Sequence, residues 1–355
     1  MQLKPLPVSS LDRSADIADF APRIIAWQRQ HGRHDLPWQQ THDPYRVWLS
    51  EIMLQQTQVA TVLAYYQRFL QRFPTVADLA AAPEDAVMQL WAGLGYYSRA
   101  RNLHRAAQMV VAEFGGAFPQ TAADLQRLPG VGASTAAAIA AFCFGQRSAI
   151  FDANVQRVLA RYWGYEADLA KAAHKKQLWA FAQDLLPTHD LARSMPAYTQ
   201  GLMDLGASLC QARKADCKAC PLASGCVARA QGEPTALPVI SKKLQRRELP
   251  LYLLWQQSGH LLRLERRPPK GIWGGLYCLP EISADQYQRL CAQAENQCLP
   301  VIKHVLTHRD LQLHIVRQRS VGVAEMGAGE VWQPIAMLGS LGLPQPIGKL
   351  LLAAA

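Results

Sequence analysis

Between residues 231 and 250 the hydrophobic period of this chain changes, and that change restricts its fold more than any other feature. Before it, from about residue 15 to 210, apolar residues recur at helical spacing in "VWLSEIMLQQTQVATVLAYYQRFL", "PEDAVMQLWAGL", "SRARNLHRAAQMVVAEF" and "NVQRVLARYW". Short breaks marked by Gly or Pro separate these runs, and no convincing strand pattern interrupts them. The stretch "QGEPTALPVISKKLQRRELP" then brings prolines at 234, 238 and 250 and a basic run, the composition of a linker. After it the period shortens: "LYLLWQQSGHLLRLE" reads as two strands around an SG turn, and "LQLHIVRQ" as a third. The expectation is a mainly α N-terminal domain at 15–230, a linker at 231–248 and a smaller α+β domain at 249–355. A chain of 355 residues is long enough for about two such cores.

Hydrophobic residues make up 50% of the chain, which excludes a disordered protein. Lys and Arg outnumber Asp and Glu by 37 to 27, and the net charge of +10 points to a polyanionic partner. The start lacks the apolar run of a signal peptide, and the longest apolar stretch, "AAAIAAFCF", is far shorter than the roughly 20 residues of a membrane-spanning helix. A cytoplasmic protein without a membrane partner is expected. Cys210, Cys217, Cys220 and Cys226 show the spacing C-x6-C-x2-C-x5-C. Four thiolates suit a tetrahedral zinc or an iron–sulfur cluster. Only Cys217 and Cys220 form a close pair, which favours iron–sulfur over zinc modules built from two pairs; four unligated thiols are the third reading. Arg213, Lys214, Lys218 and Arg229 could present this loop to phosphates. Cys143, Cys278, Cys291 and Cys298 have no ligand spacing and are expected to be buried or idle.

Three further features carry chemistry. In "LPGVGAST", residues 128–135, two glycines flank a valine just before an alanine-rich helical run. Such a turn exposes backbone N–H groups, and a helix N-terminus adds positive potential, so an anion fits there; a plain helix connector has the same sequence. Glu51 sits in a helical run and shares one stripe with Val47, Trp48, Leu54 and Val62. A carboxyl on an apolar stripe has its pKa raised and is available as a general acid near neutral pH, although a partnered core Glu or a surface Glu would look the same. Asp152 stands between "SAIF" and "NVQRVLAR", where a helix N-cap is the ordinary reading. A cap can also face a cleft, and the helix N-terminus would keep it ionised. One protonatable and one ionised carboxyl form the pair that breaks glycosidic bonds.

Together these segments resemble the helix-hairpin-helix DNA glycosylase superfamily and, within it, the adenine-specific MutY family. The matching stretches are "LPWQQTHDPYRVWLSEIMLQQTQVATV", "LWAGLGYYSRARNLHRAA", "LPGVGASTAAAIAAF", "IFDANVQRVLARYWG", "MDLGASLC" with the four cysteines, and "RRPPKGIWGGLYCLPE". They cover nearly the whole chain in order. The resemblance implies a helical glycosylase domain with a 4Fe–4S cluster on Cys210, Cys217, Cys220 and Cys226, and a cleft between two helical subdomains. It also implies an α+β C-terminal domain of Nudix-like fold. No Nudix hydrolase signature follows "GGLYCLPE", so that domain is expected to recognise rather than hydrolyse.

The implied substrate is double-stranded DNA with adenine opposite 8-oxoguanine or guanine, the adenine being flipped out of the stack, and the implied enzyme is a monomer. Glu51 would protonate the adenine, Asp152 would stabilise the oxocarbenium-like sugar, and Asn154 would position water. Leu128, Gly130, Val131 and Gly132 would grip phosphate. Ser134 stands where related lyases carry a catalytic lysine; without that amine there is no Schiff base, so base removal without strand cleavage is implied. Gln56 and Tyr96 match wedge positions that fill the vacated stack, and are otherwise ordinary helix-end residues. In "HVLTHRDL", Leu306-Thr307-His308 replaces the family's Phe-Ser-His, leaving Thr307 and His308 to read 8-oxoguanine without the aromatic ring. Two alternatives remain. An endonuclease III-like glycosylase/lyase is opposed by Ser134 and the long C-terminal domain. A non-catalytic iron–sulfur DNA sensor is opposed by the presence of both Glu51 and Asp152.

Overall fold

Helix starts follow the short polar residues and prolines of the sequence. In the computed structural model, which describes residues 14–241, 246–306, 308–318 and 329–353, the helices run from α1 (Ser14–His31) and α2 (Pro44–Leu54) to α3 (Val59–Arg72) and α4 (Val76–Ala81). They continue with α5 (Glu84–Trp91), α6 (Ser98–Phe114), α7 (Ala122–Leu125), α8 (Ala133–Phe144), α9 (Ala153–Trp163), α10 (Ala172–Asp184), α11 (Leu191–Ser208) and α12 (Val227–Ala230). Asp43 caps α2 by accepting from Tyr45 N at 2.9 Å, with Pro44 in the first turn. Thr75 and Asp78 close a reciprocal capping box on α4.

The chain forms two compact units, one from residues up to 56 together with 109–243, the other from 57–108 together with 244 onward. The core of the first unit gathers Phe20, Ile24, Ala137, Phe151, Val155, Leu159, Tyr198 and Leu202. There α11 packs against α1, α8 and α9, and α2 packs against α8. The alanine-rich α8 has no wide side chains on Ala136–Ala138 and Ala140–Ala141, all buried, so it can be surrounded by other helices.

The second unit holds a mixed sheet of β1 (Arg247–Ser258), β2 (Leu261–Arg266), β3 (Tyr277–Cys278), β4 (Gln297–Cys298), β5 (Ile302–Val305), β6 (Arg309–Gln318) and β7 (Glu330–Pro334), with α13 (Ala284–Cys291) and α14 (Gln345–Ala353). The main strand order is β3-β2-β1-β6-β4, with β5 on β6 and β7 on β2. Strands β1 and β6 are parallel, Leu251 opposite Leu313 and Leu253 opposite Ile315, and these residues are buried as their alternation requires. The SG turn joins β1 to β2 in antiparallel pairing. Helices from 57–108 also bind this sheet layer: Arg101 Nη1 donates to Gly274 O, Arg266 pairs with Asp85 at 2.8 Å, and Gln89 Nε2 donates to Gly339 O at 2.9 Å.

Two sequence expectations change here. Strand β1 begins at Arg247, inside the stretch read as linker. Cys291 and Cys298, expected to be idle, are joined as a disulfide, because the turn from α13 to β4 brings their Cα atoms to 5.8 Å.

Candidate active site

Glu51 lies on α2, whose inner face is built from buried Val47, Trp48, Ile52 and Met53. The helix stops at Leu54, and Gln56 takes a left-handed φ of 57° before α3 begins at Val59. Val62 therefore belongs to another helix, and the single stripe expected to run through Glu51 to Val62 does not exist. Burial, and next the charge of Asp152, push the Glu51 carboxyl up to about 7.

Asp152 is the N-cap of α9, its Oδ1 accepting from Val155 N at 2.8 Å. Burial raises its pKa even though bonds from Val155 and Asn154 favour the charged form, so desolvation outweighs the stabilisation expected from the helix N-terminus. Asn154 Nδ2 lies 3.4 Å from Asp152 Oδ2, and its Oδ1 accepts from Arg157 Nη2 at 2.7 Å. Arg157 thereby fixes which end of the Asn154 amide faces the carboxylate. The same guanidinium donates to Gly206 O and Cys210 O, both at 2.6 Å. Sequence reading passed over Arg157; the signal was its i,i+3 spacing from Asn154. Gly206 permits the arrangement, since a Cβ there would stand 2.6 Å from Asn154 Cβ.

The hairpin at 128–132 splits into two parts. Leu128 and Val131 are 1% and 6% exposed, so their side chains pack in the core. The part left to meet an anion is backbone: Gly130 has φ of 80°, and Gly132 is the exposed N-cap of α8 with no side-chain bond to its N–H groups. Ser134 Oγ accepts from Phe151 N at 2.8 Å, which pins the first turn of α8 to the residue before Asp152. Its hydroxyl has a positioning task in the fold.

The four clustered cysteines line one cavity of about 20 Å3 with Arg161. Among the described residues no three His, Cys, Asp or Glu side chains close on a point that could hold one metal ion. Four thiols around a shared space are the donor set that a tetrahedral zinc or an iron–sulfur cluster would take. Arg161, 2% exposed, donates to Cys210 Sγ at 3.3 Å and to the Gln211 and Ala212 carbonyls at 2.8 and 3.1 Å.

In the second unit a cavity of about 740 Å3 is lined by Tyr96, Trp273, His304, Leu306, His308 and Arg309, among others. It brings the expected wedge Tyr96 and the expected reader His308 to one wall system. Tyr96 is 40% exposed with φ of 51°, and His308 is exposed. Thr307 lies outside the described residues. Trp273, at 6.0 Å between ring centroids from His304, was not anticipated; burial lowers the His304 pKa. No helix among the described residues is long and apolar enough to cross a membrane.

The profile described as HhH-GPD superfamily base excision DNA repair protein matches residues 49–183, and a NUDIX domain profile matches 251–353. The chain is 34% identical over 343 residues to an adenine DNA glycosylase of Buchnera aphidicola subsp. Baizongia pistaciae, covering 94% of this chain and 95% of the relative. It is 45% identical over 232 residues to the human adenine DNA glycosylase, covering 63% of this chain and 42% of that one. Among solved structures, a thermostable thymine-DNA glycosylase superposes with a TM-score of 0.55 at 29% identity, over 62% of this chain and 100% of the other.

Proposed function

The chain belongs to the adenine DNA glycosylase family, and on that premise we propose that it removes adenine mispaired with 8-oxoguanine, or less favourably with guanine, from double-stranded DNA. The reaction is hydrolysis of the N-glycosidic bond without strand cleavage, carried out by a monomer in the cytoplasm. The observation that carries this reading is the carboxyl pair: Glu51 holds its proton up to about 7 while Asp152 sits at a helix N-terminus beside it.

Protonated Glu51 donates to a ring nitrogen of the departing adenine, so that the base leaves neutral. The Asp152 carboxylate faces the positive charge that develops on the sugar. Asn154, oriented by Arg157, places its amide next to that carboxylate and directs water. Ser134 offers a hydroxyl already engaged with Phe151 N and no amine, so no Schiff base forms. The Gly130–Gly132 backbone takes a phosphate. Gln56 and Tyr96 fill the space of the flipped adenine, and Thr307 and His308 read the opposite base.

Cys210, Cys217, Cys220 and Cys226 would hold a 4Fe–4S cluster, which when bound cross-links a loop bearing Arg213, Lys214 and Lys218. The functional division assigns residues 15–230 to excision and 249–355 to recognition, with a linker between them that ends where β1 begins at Arg247.

The test is a duplex with one adenine opposite 8-oxoguanine, resolved with and without hot alkali. Adenine release with strand breakage only after alkali is expected. Breakage without alkali overturns the monofunctional reading, and absence of released adenine overturns the glycosylase reading.

A further inference from the structure

The turn that presents Tyr96 is held in an unfavourable backbone shape. After α5 ends, Gly93 and Gly95 take φ of 95° and 78°, and Tyr96 follows with φ of 51°. Glycine adopts the left-handed region freely and tyrosine does not, so the last of these needs support from its surroundings. Arg99, 8% exposed in the first turn of α6, supplies it. Its N–H donates to Tyr96 O at 2.8 Å. Its Nη2 lies within reach of Gly95 O at 3.3 Å, Leu94 O at 3.5 Å and Thr57 Oγ1 at 3.0 Å. The guanidinium stands 5.2 Å from the Tyr96 ring centroid and 5.3 Å from that of Trp91, whose Nε1 donates to Gly95 O at 3.0 Å.

We propose that Arg99 is a positioning residue that presets the Tyr96 turn for insertion into the duplex. The proposal rests on the reading of Tyr96 as a wedge and goes beyond it. Two observations favour insertion over a purely structural role. The acceptors are the carbonyls of the two residues preceding Tyr96 and the hydroxyl of Thr57, the residue after Gln56 in the chain. The clamp also leaves Tyr96 40% exposed, so it fixes the backbone without burying the residue that would enter the base stack. Burial lowers the Arg99 pKa to about 10, still well above neutral, so the cation remains for the ring and carbonyl contacts. A turn fixed in advance does not have to be ordered when the adenine unstacks. Lysine cannot replace this group: an ammonium lacks the planar fork and does not stack between two rings.

The full-length chain and its Arg99→Lys, Thr57→Val and Tyr96→Ala variants are compared on two duplexes. One has paired flanks around the target; in the other, mismatched flanks make unstacking easy. A 2-aminopurine beside the target adenine reports unstacking, and single-turnover excision is measured in parallel. Arg99→Lys is expected to shrink the fluorescence rise and slow excision about tenfold on paired flanks, the loss of one charge-assisted bond. On mismatched flanks it should stay within about twofold of wild type, because little unstacking work remains. Equal slowing on both duplexes, or none on either, overturns the proposal. If Arg99→Lys does not fold by its circular dichroism melt, Thr57→Val carries the test with the same flank dependence. Tyr96→Ala separates the two readings. Should it match wild type on paired flanks, the wedge reading fails and the proposal with it; should it be impaired while Arg99→Lys and Thr57→Val are not, only the Arg99 assignment fails.

Discussion

A single proton on Glu51 links activity and stability to pH in the same direction. Excision needs the protonated acid, so the single-turnover rate is expected to fall as pH rises through about 7. The folded pKa lies above the ordinary value of 4.5, which means the folded state binds this proton more tightly than the unfolded chain. Its stabilising contribution is therefore fully present below about 4.5 and is lost as pH rises through about 7. Glu51→Gln keeps the shape without the charge; at pH 8 it should be more stable than wild type by about 1–3 kcal/mol, and at pH 4 it should show no gain. Denaturant melts at the two pH values check this, and equal stability at both would remove the buried-acid assignment. For Asp152→Asn the balance differs. Asparagine caps a helix as well as aspartate, so stability should change by less than about 1 kcal/mol. Adenine release should nevertheless drop at least about a hundredfold with DNA binding retained, since the charge facing the sugar is gone. A variant that keeps near wild-type single-turnover excision would show that Asp152 is a cap and nothing more.

At the level of elements, the site depends on how closely α11 approaches α9. Gly206 makes that approach possible, with only 2.6 Å available between an added Cβ and Asn154 Cβ. Gly206→Ala is expected to push the helices apart, destabilise the fold by about 1–3 kcal/mol, and slow excision through the Asn154 amide and Arg157. If melting falls while excision per folded molecule is unchanged, the Asn154–Asp152 arrangement does not matter to the chemistry. This spacing was hidden in "MDLGASLC", because a glycine inside a helical pattern announces nothing about its neighbour. Other elements were plain in the sequence. The Asp152 cap, the alternation of Leu311, Leu313 and Ile315, and the SG turn each have a local cause that the residues state directly. The break between α2 and α3 could not be seen, since "MLQQTQVATV" contains neither Gly nor Pro and no residue type in it announces the left-handed φ at Gln56. Strands β5 and β7 were missed because they are short and lack a fully buried face.

For the whole molecule, the grouping of residues decides what truncation should do. The carboxyl pair, Asn154, the 128–132 hairpin and the four cysteines all belong to one unit. The cavity with Tyr96 and His308 belongs to the other, in which helices from 57–108 share contacts with the C-terminal sheet layer. A chain ending at residue 241 keeps every proposed catalytic group. It loses the partners of Arg101 at Gly274, of Asp85 at Arg266 and of Gln89 at Gly339. Adenine excision is therefore expected to persist in the truncated chain, with a lower melting temperature. The surface pair Arg266–Asp85 adds little to that loss, on the order of 1 kcal/mol or less, so most of the destabilisation comes from uncovering apolar side chains such as Met88, which is buried against the Gly342 segment. The preference for adenine opposite 8-oxoguanine over adenine opposite guanine should shrink at the same time, because His308 and the cavity wall at Trp273 are removed together. Excision rates on the two mispairs, measured for both chains, decide the matter. An unchanged preference in the shorter chain would mean that the opposite base is read by the helical residues alone, and that the cavity of the second unit serves another purpose.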